Sequence, residues 1–362
     1  MIYLFADDPH VQSLGRIGEE EGGARRLIFP ASYLRLRFLG SSLQVLVENH
    51  HDYWNSALGV LEGTRQSVLP VPESGASWLS IPLDPDATEH DITLFKRQDA
   101  CNEVTIQAFL LDEEAQLLDP PALPDRRIEV FGDSVSAGEC CEALFYRGQE
   151  DPEHEGEYSN SFYSWPWITA RHFHAQLHDI AQGGIALLPH TGYYHEDRGA
   201  IGMCQVFDKV QYNEDLGPVT RWDFTRYTPD VVIVALGQND CHPEWNLSPD
   251  NLSCWESAYE AFLCMILRVY PDCRIVCATG IIRHDGRIDE AIERVVRRLD
   301  SPQISHLLFT GNGKTTPGHP RIPEQQQMAK DMIRHIESLG IWPEKEKSCG
   351  RTSEVSYAVS EG

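Results

Sequence analysis

No stretch of this chain approaches the roughly 20 consecutive apolar residues that a bilayer-spanning helix requires; apolar runs such as Val231 to Leu236 are of strand length. A basic leader is missing as well. The start, Met1-Ile2-Tyr3-Leu4-Phe5-Ala6-Asp7-Asp8, meets acid before any lysine or arginine. It does not read as a secretory signal, and the expectation is a cytoplasmic protein with no membrane partner. Positive charge is scarce: 30 Lys and Arg stand against 55 Asp and Glu, a formal net charge of −25. Such an excess repels phosphates, which excludes nucleic acid as a partner and suits a neutral substrate. Metal-site spacing is lacking too. The ten cysteines, among them the adjacent Cys140-Cys141, form no CxxC…CxxC or CxxC…HxxxH pattern. They read as buried free thiols of a reducing compartment. His50-His51 and the His172/His174 pair have no acidic or thiol neighbours at ligand spacing, so neither a metal nor a cofactor is implied.

What is present falls into two grammars, and 362 residues leave room for two cores. From Tyr33 the period is two: Leu34, Leu36 and Phe38 alternate with Arg35 and Arg37, then Leu43, Val45 and Val47 repeat the pattern. Further short strands fit Ala57 to Leu61, Trp78 to Leu83, Ile92 to Phe95 and Val104 to Leu111. Turn-forming clusters such as Pro70-Val71-Pro72-Glu73-Ser74-Gly75 separate them. This is the signature of an all-β sandwich, with a jelly-roll-like form expected over residues 1–119. Three prolines within residues 120–125 can continue neither strand nor helix, and they mark a stiff linker.

After Arg126 strands alternate with helices. Strand ends are expected at Phe131, near Ala181, at Leu236, near Thr279 and near Phe309. Helices fit Ser164–Phe173, Trp255–Val269, Asp289–Leu299 and Pro323–Leu339. Strands apolar on both faces and linked by helices imply an α/β domain, three layers around a parallel sheet, over residues 126–343. Residues 344–362 read as a polar, disordered tail. Two long connections, 139–160 and 187–223, are rich in aromatics and are expected to shape a cleft.

The chemistry sits at strand ends, where parallel sheets place their sites. Ile128-Glu129-Val130-Phe131 runs into Gly132-Asp133-Ser134, and Val231 to Leu236 into Gly237-Gln238-Asn239-Asp240. Gly318-His319-Pro320 precedes the last helix. A serine hydroxyl becomes a nucleophile when the backbone presents it sharply and a base takes its proton. A lone Gly-Asp-Ser is as easily a turn or a helix cap, and a lone loop histidine is usually just that. The ordered set is far harder to meet by accident.

These blocks resemble the SGNH (GDS-type) hydrolase superfamily over roughly the second half to two-thirds of the chain. The resemblance implies an α/β/α hydrolase domain with Ser134 as nucleophile and His319 as general base. Oxyanion donors would be the Ser134 N–H, a glycine after the second strand and the Asn239 amide. Gly183 is taken as that glycine, with Gly184 one residue away as the alternative. Asp133 is read as a brace for nearby backbone. His242 is the main rival base; His190 and His195 are weaker rivals. The superfamily carries an acid three residues before its histidine, where this chain has Thr316. The third member is therefore absent, or is replaced by a backbone carbonyl or by an acid from elsewhere. A β-sandwich ahead of such a domain, a tolerated Ser–His dyad and the phrase Thr93-Leu94-Phe95-Lys96-Arg97 are similar to carbohydrate esterase family 2. That likeness implies an acetyl esterase acting on acetylated xylan or mannan oligosaccharides through an acetyl-enzyme. The alternatives are a lipase or thioesterase on the same chemistry and a non-catalytic carbohydrate-binding protein. Trp245 and Tyr193, with Tyr194 and Trp222, lean toward a sugar ligand. The sugar, the oligomeric state and any role of the sandwich in binding substrate stay open.

Overall fold

The computed structural model describes residues 1–342, so the expected disordered tail at 344–362 lies outside the described residues. Alternation builds the first domain because each strand must hide one face. Its strands are β1 (Ile2–Phe5), β2 (Val11–Leu14), β3 (Gly18–Glu19), β4 (Arg25–Leu27), β5 (Tyr33–Leu39) and β6 (Leu43–His51), followed by β7 (Ala57–Glu62), β8 (Arg65–Pro70), β9 (Ala76–Ser80), β10 (Glu89–Lys96), β11 (Asn102–Leu111) and β12 (Gln116–Leu118). They form two six-stranded sheets, one ordered β3-β4-β11-β6-β9 with β1 also on β11. The other is ordered β12-β5-β10-β7-β8 with β2 also on β5, and every pairing in both is antiparallel. The inward set, including Leu34, Leu36, Phe38, Val45, Val47, Val104 and Ile106, packs into one core between them. Strands β1 to β4, β8 and β12 lie outside those expected from the pattern. Apart from β3, which pairs with β4, each pairs against a strand of cleaner alternation.

The segment between Leu118 and Arg126 has no regular structure. It is pinned from both sides: Gln12 donates to the Pro121 carbonyl at 2.6 Å and Gln176 to the Pro124 carbonyl at 2.6 Å.

Beyond it lies a parallel five-stranded sheet of β13 (Arg126–Asp133), β14 (Ala175–Gln182), β15 (Val231–Ala235), β16 (Arg274–Ala278) and β17 (Ile304–His306), in the order β14-β13-β15-β16-β17. The helices are α1 (Ser134–Ala137), α2 (Trp165–Phe173), α3 (Met203–Val206), α4 (Pro249–Val269), α5 (Gly286–Leu299) and α6 (Ile322–Ser338). Val231, Ile233 and Ala235 face the core that holds α2 and α6, whereas Val232, Val234 and Leu236 face the core that holds α4 and α5. Both faces are covered, which is why the run is apolar throughout. Helix α4 starts six residues before the expected Trp255, with Pro249 in its first turn, where proline's missing N–H costs nothing. Strand β17 ends at His306, short of the expected Phe309.

Strand β13 has β14 on one side and β15 on the other, so the chain leaves it in opposite directions. The crevice that opens at the carboxyl end of such a strand is where ligands bind in open α/β sheets.

Candidate active site

Ser134 stands at that crevice. Asp133 caps the short helix α1 by accepting the Val135 N–H at 3.1 Å, so the serine is the first residue of a turn pointed off the strand. Gly132 makes this turn possible, since a Cβ there would lie 2.3 Å from Ser136 Oγ. Asp133 also receives both Gln238 Nε2 contacts at 2.7 Å and Asn239 Nδ2 at 3.1 Å. It ties the ends of β13 and β15 together. Burial pushes its carboxyl up to about 7, against the pull of the Val135 and Gln238 bonds.

His319 Nε2 lies 2.7 Å from Ser134 Oγ. Its Nδ1 lies 2.6 Å from Asp151 Oδ2, and its backbone N–H donates to the same carboxylate at 3.1 Å. Arg321 Nη1 holds the other oxygen at 2.6 Å. Of the alternatives left open for the third member, the structure has an acid from elsewhere: it comes from the long 139–160 connection, 168 residues before the histidine. Thr316, at the position where an acid was sought, is buried in a bridge to Ile282. Gly318 lets the acid approach, because a Cβ there would sit 2.8 Å from Asp151 Oδ1. Nothing in sequence spacing singles out Asp151 from Glu150, Glu153, Glu155 and Glu157 around it.

The electrostatics favour imidazolium. Burial alone would lower His319, but Glu139, then the hydrogen bond and charge of Asp151, overcome it and hold the imidazole up at about 9. Burial would likewise raise Asp151, yet His319 and Arg321 keep it far below the usual carboxylate range. Glu139 Oε1 lies 3.7 Å from His319 Nε2, and burial, partly offset by His319, pushes this carboxyl up to about 7.

On the oxyanion side the hydrogen bonds separate the two glycines that the sequence left open. The Gly183 N–H is committed to Asp99 Oδ2 at 2.6 Å, inside the protein. Glycine is required there because a Cβ would come within 2.7 Å of that carboxylate. Gly184, in the left-handed region at φ 72°, has an N–H with no acceptor among the described residues. Asn239 Nδ2 rests on Asp133 Oδ2 at 3.1 Å and on the Ile185 carbonyl at 3.0 Å, so both of its hydrogens are engaged.

A cleft of about 920 Å³ opens over these groups, lined by Asp52, Tyr53 and Trp54 of the sandwich as well as by the α/β domain. Tyr193 lines it, 55% exposed, with its ring stacked on His242 at 4.2 Å between centroids. His242 Nε2 in turn bonds Glu196 Oε1 at 2.7 Å, so this rival base supports an aromatic platform instead of the serine. Trp245 is exposed but does not line the cleft, and Trp222 is buried. His195 pairs with Asp52 at the cleft rim. Asp52, His195 and Asp215 could group their ligand atoms within 4.8 Å, but the Arg198 guanidinium binds both carboxylates and supplies the positive charge there. The nine cysteines of the described residues are free thiols; Cys101, Cys140, Cys141, Cys273 and Cys277 are buried as expected, whereas Cys204 and Cys241 are half-buried and Cys254 and Cys264 exposed, on the outer faces of their elements.

Residues 13–121 match the family model of the carbohydrate esterase 2 N-terminal domain. The chain is 27% identical over 349 residues to the cellulase/esterase CelE of Acetivibrio thermocellus, covering 93% of this chain and 40% of that protein. It is 25% identical over 346 residues to an acetylxylan esterase/glucomannan deacetylase of Cellvibrio japonicus, covering 94% and 91%. It thus spans about two-fifths of the first relative and most of the second. A solved family two carbohydrate esterase from Cellvibrio japonicus superposes with a TM-score of 0.78 at 22% identity, covering 93% of this chain and 97% of that one. This chain therefore carries the N-terminal domain of carbohydrate esterase 2 and has the two-domain fold of the family two carbohydrate esterases.

Proposed function

We propose that this protein is a serine esterase that removes O-acetyl groups from acetylated hemicellulose oligosaccharides, of xylan or glucomannan type. The reading is carried by one observation: Ser134 Oγ, His319 and Asp151 stand in hydrogen-bonded sequence at 2.7 and 2.6 Å, with Ser134 and His319 lining an open cleft. Neutral His319, its Nδ1–H donating to Asp151, accepts the Ser134 proton as Oγ attacks the acetyl carbonyl. The imidazolium then protonates the departing sugar oxygen. Water enters, gives its proton to His319 and attacks the acetyl-enzyme, releasing acetate and restoring Ser134.

The oxyanion lies, in this proposal, on the N–H groups of Ser134 and Gly184. Asn239 joins them by sharing the hydrogen now resting on the neutral Ile185 carbonyl, since a developing anion is the stronger acceptor. Tyr193 offers a flat apolar face to a sugar ring beside the acidic groups Asp52, Glu139, Glu196 and Asp197, which suit hydroxyl donors better than an acyl tail. The chemistry asks for no cofactor.

The test is acetate release from acetylated xylan and glucomannan oligosaccharides, with 4-nitrophenyl esters of C2 to C10 acids alongside. Wild type should release acetate and prefer the C2 ester, and Ser134→Ala should be inactive while remaining folded. A preference for long acyl chains would favour a lipase, and binding of oligosaccharide without turnover would favour a carbohydrate-binding protein.

A further inference from the structure

The β10–β11 connection of the sandwich is among the most buried segments of the chain. Lys96, Arg97, Gln98 and Asp99 are each no more than 2% exposed, although all are polar or charged. They do not face the sandwich core. Lys96 Nζ donates to the carbonyls of Gln98 at 3.0 Å and Asp99 at 2.6 Å, closing the connection on itself. Ser161 of the α/β domain donates to the Lys96 carbonyl through Oγ at 2.7 Å and to the Arg97 carbonyl through its N–H at 2.8 Å. Arg97 reaches Glu142 Oε2 at 2.6 Å. At the tip, Asp99 Oδ2 accepts the Gly183 N–H at 2.6 Å and Gln182 Nε2 at 2.9 Å.

We infer that Asp99 of the sandwich domain is a positioning residue for the oxyanion-binding turn, holding the Gly183–Gly184 peptide so that the Gly184 N–H faces the site. The inference rests on the esterase reading of Ser134. Gly-Gly is the most flexible dipeptide available, so a turn built from it keeps no orientation by itself. Here the peptide is held at both ends. Asp99 takes the N–H on its near side, and the Gly184 carbonyl on its far side accepts the N–H groups of Tyr193 at 2.8 Å and Tyr194 at 3.2 Å. What remains uncommitted between these anchors is the Gly184 N–H. The bond from the Gly183 N–H to the Asp99 carboxyl is short, at 2.6 Å, and buried out of competition with water. An oxyanion donor works because it is already oriented when charge develops. Asp99 touches no substrate atom in this account; it acts through Gly183. The sandwich is then part of the catalytic apparatus, and not a separable binding module.

The experiment compares wild type, Asp99→Asn and Asp99→Ala on 4-nitrophenyl acetate, and measures inhibition by a small alkyl boronic acid whose adduct with Ser134 mimics the tetrahedral intermediate. Loss of one oriented oxyanion donor lowers kcat by about 10²-fold, so Asp99→Ala should fall by roughly that factor with KM changed less than about threefold. Asp99→Asn keeps the shape but replaces one acceptor oxygen with a donor NH2, weakening the hold on the turn, and should fall by about tenfold. Boronate affinity should weaken in step with kcat in each variant, a readout that general loosening of the fold would not track. If Asp99→Ala does not fold, Asp99→Asn and its boronate constant decide. A kcat within twofold of wild type in the folded variants overturns the inference, as does a loss confined to KM or a loss of kcat with boronate affinity intact. Failure of the esterase reading itself looks different: wild type and Ser134→Ala would then be equally inactive.

Discussion

Asp151 is where a single side chain most changes the chemistry available to this chain. Without it, an imidazolium formed during attack would have the Glu139 carboxyl at 3.7 Å and the more distant Asp133 as its acidic neighbours. With it, the ring is held at Nδ1 and its tautomer is set, which leaves Nε2 free to accept the serine proton. Asp151→Asn is expected to lower kcat by about 10³- to 10⁴-fold, the size of effect seen when a triad carboxylate is neutralised. Thr316→Ala should leave kcat unchanged; steady-state kinetics on 4-nitrophenyl acetate reads both. The pH profile is a second consequence at this scale. The base must be neutral to accept a proton, and His319 is raised from 6.5 to about 9. The kcat/KM of wild type should therefore climb with pH between about 6.5 and 9, where an unperturbed histidine would already have levelled off. Glu139 is the largest force raising that value, so Glu139→Gln should move the midpoint down and increase activity at neutral pH. A midpoint unmoved in Glu139→Gln would remove Glu139 from the account of the base.

Elements decide which backbone groups are available. The segment Gln182-Gly183-Gly184 looks the same from sequence whichever glycine serves, and only its hydrogen bonds separate the two: Gly183 is spent on Asp99 and Gly184 is not. The 139–160 connection is comparable. Its length and aromatics suggest a cleft-forming loop, yet Glu139 is its one residue in the cleft lining, and nothing in its sequence shows that one of its acids reaches the histidine. The enabling feature is Gly318, where a Cβ would stand 2.7 Å from the Gln149 carbonyl and 2.9 Å from Asp151 N. Gly318→Ala should push this loop away and lower kcat by at least about tenfold, as small misplacements of catalytic groups do. Circular dichroism and thermal melting should show an intact fold. A variant with full activity would mean that the loop tolerates the displacement and that Asp151 does not need its present geometry.

At the scale of the whole molecule the two domains are joined by buried charge. Arg16 of the sandwich donates to the Phe207 carbonyl at 2.7 Å, the Lys209 carbonyl at 3.0 Å and Glu129 Oε1 at 3.0 Å, with both partners of the ion pair fully buried. Removing one member of a buried pair leaves the other without compensation, at a penalty of about 3–5 kcal/mol. Arg16→Met should lose stability of that order in urea unfolding, and Arg16→Met with Glu129→Leu should recover part of it. A single variant as stable as wild type would show that water or local rearrangement satisfies Glu129.

What the chain determined by itself is whatever short-range patterning encodes. Period two made the sandwich legible, and apolar runs alternating with helical stretches made the parallel sheet legible. Gly-Asp-Ser, Gly-x-Asn-Asp and Gly-His-Pro marked Ser134, Asn239 and His319, because backbone presentation at a strand end demands particular residues at fixed offsets. Only the tertiary structure decided which carboxylate meets His319, which glycine N–H stays uncommitted and which aromatics stand in the cleft. Asp99 and Gly183 are 84 residues apart, Asp151 and His319 are 168 apart, and no local periodicity couples such positions. Asp99 and Gly183 meet because two separately legible domains pack against each other, and Asp151 and His319 because two loops of the α/β domain fold onto one another. Which polar groups that packing buries, and which it leaves open to a ligand, depends on contacts between segments that carry no trace of one another in sequence.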